Sequence, residues 1–232
     1  MPRALLLDMD DTVLAYSEGV ADAWLRVCVR LAPSLDRPPA EVYAAVERVR
    51  TWFWSDPLRH RRWRQDMTAA WAEIIRLASL QLGRDPGPLA REAAVAFSAD
   101  REASLRPFPG ALEAIARWRG AGVRLALITN GAAGSQRAKV ERFGLAPLFD
   151  CVLIEGECGV GKPDPRIYRR ALDAIGADPA DTWMVGDNLE WEVAAPQSLG
   201  IIGIWVDVRG EGLPPGCPVR PDRIIRSLAE LG

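Results

Sequence analysis

Short, continuous apolar runs recur along this chain, and helical patterns separate them. The first run, Leu5-Leu6-Leu7, ends at Asp8. Four similar runs lie at 123–129, 151–154, 182–185 and 201–206. Uninterrupted apolar strands are typical of a parallel sheet that is covered on both faces. Their alternation with helical patterns, at 109–118, 136–143, 165–175 and 190–199, predicts an α/β fold with a Rossmann-like, doubly wound parallel sheet.

Residues 17–106 interrupt this alternation with patterns that are helical only. Ser17 can cap a first helix, whose apolar face includes Trp24 and Leu31. Further helices are predicted at 39–49, 66–82 and 88–103. The sequence therefore predicts two domains, an α/β core formed by 1–16 and 107–232, and a helical insert formed by 17–106.

Charge and hydropathy exclude several classes of protein. The formal net charge of −2 gives no electrostatic reason to bind nucleic acid or an anionic membrane. The apolar run near the amino terminus is too short for a signal peptide, and no stretch approaches the roughly 18 apolar residues of a membrane span. We therefore expect a cytoplasmic monomer or homodimer, without nucleic-acid or membrane partners. Scattered cysteines indicate reduced thiols, and the single histidine, His60, argues against a Ser/His/Asp triad.

Polar side chains with related chemistry follow the predicted strands. They are Asp8, Asp10, Asp11, Thr129, Asn130, Lys162 and Asp187. Because functional groups of an open parallel sheet gather at the carboxyl ends of its strands, we expect these side chains to lie together. Two carboxylates about 4 Å apart repel by roughly 4 kcal/mol at an effective dielectric constant of 20, so the group requires a cation or a shared proton. Oxygen ligands suit Mg²⁺, and a metal beside a lysine and a hydroxyl suits a phosphate group.

Four segments in chain order, DMDDT, ITNG, GKPDP and VGDNLEWE, resemble the four motifs of the haloacid dehalogenase superfamily of phosphohydrolases. The helical insert matches the cap of the subfamily that carries an α-helical cap between the first and second motifs. The resemblance covers essentially the whole chain. It implies a Mg²⁺-dependent phosphatase that hydrolyses a small phosphomonoester, a phosphorylated metabolite, through an aspartyl-phosphate.

The resemblance also implies catalytic roles. Asp8 would attack phosphorus, and Asp10 would protonate the leaving oxygen and then deprotonate the hydrolytic water. Lys162 would neutralise the nucleophile and the transferring group. The groups expected to bind phosphate are Thr129, Asn130, Gly131 and Lys162.

The metal ligands implied by the resemblance are Asp8, the backbone carbonyl of Asp10, and Asp187. The family usually has a further aspartate five residues after Asp187, where this chain has Glu192. Glu192 is therefore expected near the metal, through a water or by orienting other groups, and Glu190 remains an alternative.

Two other features have competing interpretations. Only two of the 29 basic residues are lysines, so the presence of Lys162 in its motif is informative, whereas Lys139 is interpreted as an exposed helix residue. The segment 52–64 is rich in tryptophan and arginine. It is either a substrate-facing part of the cap or a solvated connection with its tryptophans packed underneath, and the second interpretation is favoured for most of its residues.

Rival functions share part of this chemistry. A dehalogenase of the same superfamily is disfavoured by Asp10. A phosphomutase would share the nucleophile and the acid, although mutases tend to have glycine at the position of Asp11. A phospho-accepting signalling or binding module of the receiver type also combines acidic residues, Mg²⁺, threonine and lysine, but its motif order differs and it has no helical insert.

Overall fold

The structure is a computed structural model that describes residues 2–231, and the chain forms two compact units. One unit comprises the chain up to Tyr16 and from Arg106 onward, and the other comprises Ser17–Leu105. The α-helices, in chain order, are α1 Val20–Leu35, α2 Pro39–Ser55, α3 Pro57–Trp63, α4 Met67–Gln81, α5 Leu89–Ser104, α6 Ala111–Gly120, α7 Ala133–Arg142, α8 Glu155–Cys158, α9 Pro165–Ile175 and α10 Ala195–Gln197. None of the helices within 2–231 combines the length and hydrophobicity that a transmembrane helix needs.

The first unit contains a six-stranded sheet. Its strands are β1 Ala4–Leu7, β2 Arg124–Thr129, β3 Cys151–Ile154, β4 Thr182–Gly186, β5 Ile202–Val206 and β6 Arg223–Ile225. The strand order is β3-β2-β1-β4-β5-β6, and every neighbouring pair is parallel. The predicted doubly wound α/β fold is confirmed, as are the five predicted strands. The edge strand β6 was not predicted, because only Ile225 of its three residues is buried.

The strand order determines where a site can form. From β1 the chain first adds β2 and β3 on one side of the sheet and then β4, β5 and β6 on the other. The strand order therefore reverses beside β1. In such sheets the crevice outside the carboxyl ends of the strands, at this reversal, is the usual binding position. Apolar side chains of α9 cover one face of the sheet, with Tyr168 and Leu172 packed in a cluster that includes Leu6 and Met184. The apolar cluster covers the face of the sheet, and the polar groups lie at the carboxyl ends of β1, β2 and β4.

Local signals explain where α9 begins and ends. The Asp164 side chain accepts a hydrogen bond from the Arg166 amide, Pro165 occupies the first turn, and Gly176 ends the helix in a left-handed conformation. A proline at the first turn and a glycine just past the end are the preferred terminal residues of a helix. The helix has the bounds that its sequence predicts.

The second unit consists of α1 to α5 around its own apolar core. Trp24 and Phe97 pack with ring centroids 4.2 Å apart, and Trp71 lies edge-on to Trp24 at 5.6 Å. The predicted cap at Ser17 is wrong. Gly19, in a left-handed conformation (φ 71°), occupies the position before α1.

The segment 52–64 is helical almost throughout, because α2 extends to Ser55 and Asp56 caps α3. Trp54 contacts Trp71 at a centroid distance of 5.6 Å and packs against the core of this unit. Trp52 is exposed instead, and the Arg59 guanidinium lies 3.8 Å from its ring centroid. Whether this segment contacts a substrate stays a prediction.

Candidate active site

Asp8 follows the last residue of β1 and is buried, with 7% of its surface exposed. Its backbone amide donates to the carbonyl of Val185, which extends the pairing of β1 with β4 by one residue. The carboxylate has two side-chain partners. Lys162 Nζ lies 2.5 Å from Oδ1, and Thr12 Oγ1 donates to Oδ2 at 3.1 Å. The strand and these two partners hold the carboxylate in a defined orientation.

Lys162 is almost completely buried, and a backbone interaction anchors it. Its amide donates to Asn130 Oδ1, and Asn130 Nδ2 donates to the Lys162 carbonyl, each at 2.8 Å. Burial opposes the positive charge of Lys162, but Asp8 and Glu192 outweigh it and raise the pKa of the ammonium. Lys162 therefore stays charged, and the Asn130 side chain serves to hold its loop.

Glu192 lies on a short segment with π-type hydrogen bonding, Leu189–Ala194, that follows β4. Its Oε1 is 2.7 Å from Lys162 Nζ, and its Oε2 accepts from the Asn188 amide at 2.8 Å. Burial raises the pKa of Glu192 to about 7, although Lys162 opposes the shift. The Glu190 side chain, in contrast, is exposed. Of the two predicted alternatives, only Glu192 contacts Lys162.

Asp187 follows β4 and keeps a solvent-exposed surface. Desolvation, and then the negative charges of Asp8, Glu192 and Asp11, raise the pKa of Asp187. The site thus holds more carboxylates than Lys162 alone can neutralise, and a bound cation would relieve their repulsion.

The oxygen atoms of the site fit a hard divalent cation. Within 2–231, no three acidic, histidine or cysteine side chains are grouped so that they alone could hold a metal ion. Glu192 is almost completely buried and its Oε1 lies 2.7 Å from Lys162 Nζ, whereas Asp187 is exposed. Asp187 therefore fits Mg²⁺ as a side-chain ligand better than Glu192 does.

The Asp10 carboxylate contacts α7. Lys139 Nζ lies 2.6 Å from Oδ2 and 2.9 Å from Oδ1, and Gln136 Nε2 is 3.0 Å from Oδ2. The interpretation of Lys139 as an exposed residue is therefore wrong, since only 12% of its side chain is exposed. The scarcity of lysine was a usable signal for it, but Gln136 had no comparable signal.

The predicted phosphate-binding residues at and just after the end of β2 are held by two side chains that the sequence did not reveal. Thr129 Oγ1 lies 2.6 Å from Gln136 Nε2, and Thr129 is buried. The Gly131 amide donates to Glu155 Oε2 at 2.9 Å, and Glu155 is buried directly after β3. In this conformation the Gly131 amide already has an acceptor, so Glu155 fixes the loop that follows Thr129.

Comparisons with known proteins show which family the chain resembles. The family model for haloacid dehalogenase-like hydrolases matches residues 2–200. A phosphoserine phosphatase from Thermus thermophilus is 36% identical over 248 aligned positions, which cover 99% of this chain and 97% of the relative. A glyceraldehyde 3-phosphate phosphatase from Methanopyrus kandleri is 28% identical over 88% of this chain and 83% of the relative.

A solved structure extends the likeness to the fold. The HAD-hydrolase YfnB from Bacillus subtilis, bound to magnesium, has a TM-score of 0.73 at 21% identity, over 99% of this chain and 96% of that one. Taken with the family model, which spans most of the sequence, and the relative that aligns over nearly all of it, these likenesses show that the chain belongs to the haloacid dehalogenase-like hydrolases.

Proposed function

We propose that this chain is a Mg²⁺-dependent phosphatase that hydrolyses a small phosphomonoester through an aspartyl-phosphate on Asp8. The observation that carries the proposal is the buried Asp8 carboxylate, held by Lys162 and Thr12 at the carboxyl end of β1. Burial of a carboxylate and a lysine costs desolvation free energy, which a functional role would explain. Nucleophilic attack of the carboxylate on phosphorus is such a role. The phosphatase names of two relatives support the reaction class.

In the first step an Asp8 carboxylate oxygen attacks phosphorus, and the bond from phosphorus to the ester oxygen breaks. The Asp10 carboxyl group gives its proton to the departing oxygen, so that the product leaves as an alcohol. Lys162, which stays charged, offsets the negative charge that accumulates between Asp8 and the transferring phosphoryl group.

In the second step the aspartyl-phosphate is hydrolysed. Asp10 takes a proton from water, the water oxygen bonds to phosphorus, and the bond from phosphorus to the Asp8 oxygen breaks. Inorganic phosphate leaves, and both carboxyl groups return to their starting states. Asp10 acts first as an acid and then as a base, so its carboxyl group must be held within reach of the leaving-group oxygen and of the water oxygen.

The residues proposed to hold Mg²⁺ are Asp8, Asp187 and the backbone carbonyl of Asp10. The bound ion would supply positive charge to the phosphate oxygens. Glu192 is proposed to act on the site through Lys162 rather than as a direct ligand, because it is almost completely buried with its Oε1 2.7 Å from Lys162 Nζ. Thr129 and the backbone after it are proposed to contact the phosphate.

The test is hydrolysis of a phosphomonoester panel with and without Mg²⁺. Phosphoserine and glyceraldehyde 3-phosphate lead the panel because two relatives are named for them. Phosphoglycolate, nucleoside monophosphates and sugar phosphates complete it. Wild type should release phosphate only with Mg²⁺, and Asp8→Asn should abolish the release while it retains the size of the side chain.

A matched control is Asp173→Asn, which makes the same chemical change at an exposed position of α9 and should leave hydrolysis unchanged. Absence of hydrolysis across the panel in the presence of Mg²⁺ would overturn the proposal. A long-lived phosphorylated Asp8 without turnover would favour the signalling alternative. Phosphate transfer between two positions of a sugar, without net release, would favour a phosphomutase.

A further inference from the structure

The two lysines of this chain each pair with an aspartate of its first motif. Lys162 pairs with Asp8, and Lys139 pairs with Asp10. The second pair joins parts of the chain 129 positions apart. Lys139 belongs to none of the four motifs, and the proposed reaction has assigned it no task.

The geometry around Asp10 has more than one point of support. Lys139 Nζ contacts both carboxylate oxygens, at 2.6 and 2.9 Å, and Gln136 Nε2 is 3.0 Å from Oδ2. Gln136 and Lys139 are three positions apart in α7, so they share one face of the helix. Two donors on a single helix therefore fix both the position and the rotation of the Asp10 carboxyl group.

Each donor is in turn fixed by its surroundings. Gln136 is buried, and its Nε2 also lies 2.6 Å from Thr129 Oγ1 and 2.9 Å from the Asn130 carbonyl. Lys139 Nζ lies 4.3 Å from the ring centroid of Tyr16, a cation–π distance. Gln136 therefore ties Asp10 to the end of β2, where the phosphate group is proposed to bind.

We propose that Lys139 is a positioning residue that, with Gln136, holds Asp10 for proton transfer to the leaving group. The inference rests on the proposed phosphatase function and assigns Lys139 no contact with the substrate. A general acid contributes about 10²- to 10⁴-fold to a rate only when it is in hydrogen-bond reach of the proton acceptor. Loss of the Lys139 contact with Asp10 should therefore slow the hydrolysis of only those substrates whose leaving groups need a proton.

The experiment measures kcat/KM of the Mg²⁺-loaded enzyme for a series of substituted phenyl phosphates. This quantity reports the steps up to release of the phenol, and the leaving-group pKa rises along the series. For 4-nitrophenyl phosphate, whose leaving group needs little protonation, Lys139→Met should lose less than about threefold. For unsubstituted phenyl phosphate the loss should exceed about tenfold. A plot of log kcat/KM against leaving-group pKa should therefore be steeper for Lys139→Met than for wild type.

Two further variants make the result decisive. Lys139→Arg keeps the cation and should give a slope closer to wild type. Arg142→Met removes an exposed cation from the same helix and should give the wild-type slope. An equal loss for all substrates, or no loss, in Lys139→Met would overturn the inference but leave the phosphatase intact. A wild type inactive towards the whole series and the phosphomonoester panel would overturn the proposed function, and this inference with it.

Discussion

Glu192 Oε1 lies 2.7 Å from Lys162 Nζ, and both side chains are about 99% buried. The same ammonium lies 2.5 Å from Asp8 Oδ1, so Lys162 connects a carboxylate after β1 with a carboxylate after β4. Three ionisable groups in contact at this depth depend on one another, because removal of one leaves the others without compensation.

The position of Glu192 predicts that its substitution affects catalysis differently from a substitution of Asp187. Because Glu192 is proposed to act through Lys162, Glu192→Gln should lower kcat by about 10- to 100-fold. The Mg²⁺ concentration for half-maximal activity should change by less than about threefold. Asp187→Asn should raise that Mg²⁺ concentration by at least about tenfold. Mg²⁺ titrations of steady-state activity measure both quantities. An equal rise in the Mg²⁺ requirement of both variants would identify Glu192 as a metal ligand.

Close packing beside this contact gives a stability prediction. A Cβ atom on Gly186, the last residue of β4, would collide with Glu192 Cγ and lie 2.9 Å from Asp8 Cβ. Gly186→Ala should therefore lower the free energy of unfolding by about 1–3 kcal/mol and also reduce activity, as measured by urea denaturation and phosphate release. Gly134→Ala in α7 is the control. Apart from its chain neighbours and the backbone of its own helix, no atom lies within 4 Å of the added Cβ, so this substitution should be neutral or stabilise by up to about 1 kcal/mol. An equal effect of the two substitutions would contradict this account.

The sequence predicted the parts of the molecule that depend on local pattern. Apolar runs identify β1 to β5 because a strand covered on both faces has few polar residues. The same rule missed β6, where Arg223 is exposed and only one residue is buried. The preference of serine for helix starts also misled at Ser17, since the chain enters α1 through Gly19 in a left-handed conformation.

Side-chain partners at the site depend on helix rotation, which the sequence pattern determines only weakly. α7 is largely polar, and of its ten residues only Gln136 and Val140 are buried. The side of α7 that faces Asp10 is therefore set by tertiary packing, and Lys139 looked like a residue of a solvated face. Glu155 was missed for a similar reason. A lone acid after a strand gives no indication of its partner until β2 and β3 are paired.

The pH dependence of the stability of Lys162→Met tests the contribution of the buried charges. Without Lys162, Asp8 and Glu192 remain buried without their cation, so we expect a loss of about 3–5 kcal/mol at pH 7.5 in EDTA. Burial already raises the pKa of Glu192 to about 7, and the substitution should raise it further. A carboxyl group with a raised folded-state pKa binds its proton more tightly in the folded protein, so stability falls as pH rises from about 4.5 through that pKa.

The destabilisation by Lys162→Met, relative to wild type, should therefore be smaller at pH 5 than at pH 7.5. Urea denaturation at the two pH values measures the difference. Arg119→Met, which removes an exposed ion pair with Asp150, serves as the control and should cost less than about 1 kcal/mol at either pH. A pH-independent loss in Lys162→Met would show that lost packing, rather than unpaired charge, causes its effect.

The thiols give a prediction that is independent of the proposed activity. Cys28 is fully buried in the second unit, and burial, with a smaller contribution from Glu47, raises the pKa of Cys28 to about 12. Cys217 is only partly buried. Because the thiolate is the reactive form, a pKa about three units above the ordinary value leaves about a thousandfold less thiolate near neutral pH.

Iodoacetamide at pH 8 should therefore alkylate Cys217 well before Cys28 in the folded protein, as measured by peptide mass spectrometry, and both should react in urea. The unfolded thiol loses its proton near pH 9 and the folded one near pH 12, so Cys28 should make stability decrease as pH rises above 9. Cys28→Ala should weaken that decrease relative to wild type. Alkylation of Cys28 as fast as Cys217 in the folded protein would contradict the packing of α1 against the core of the second unit, because such packing excludes both water and reagent.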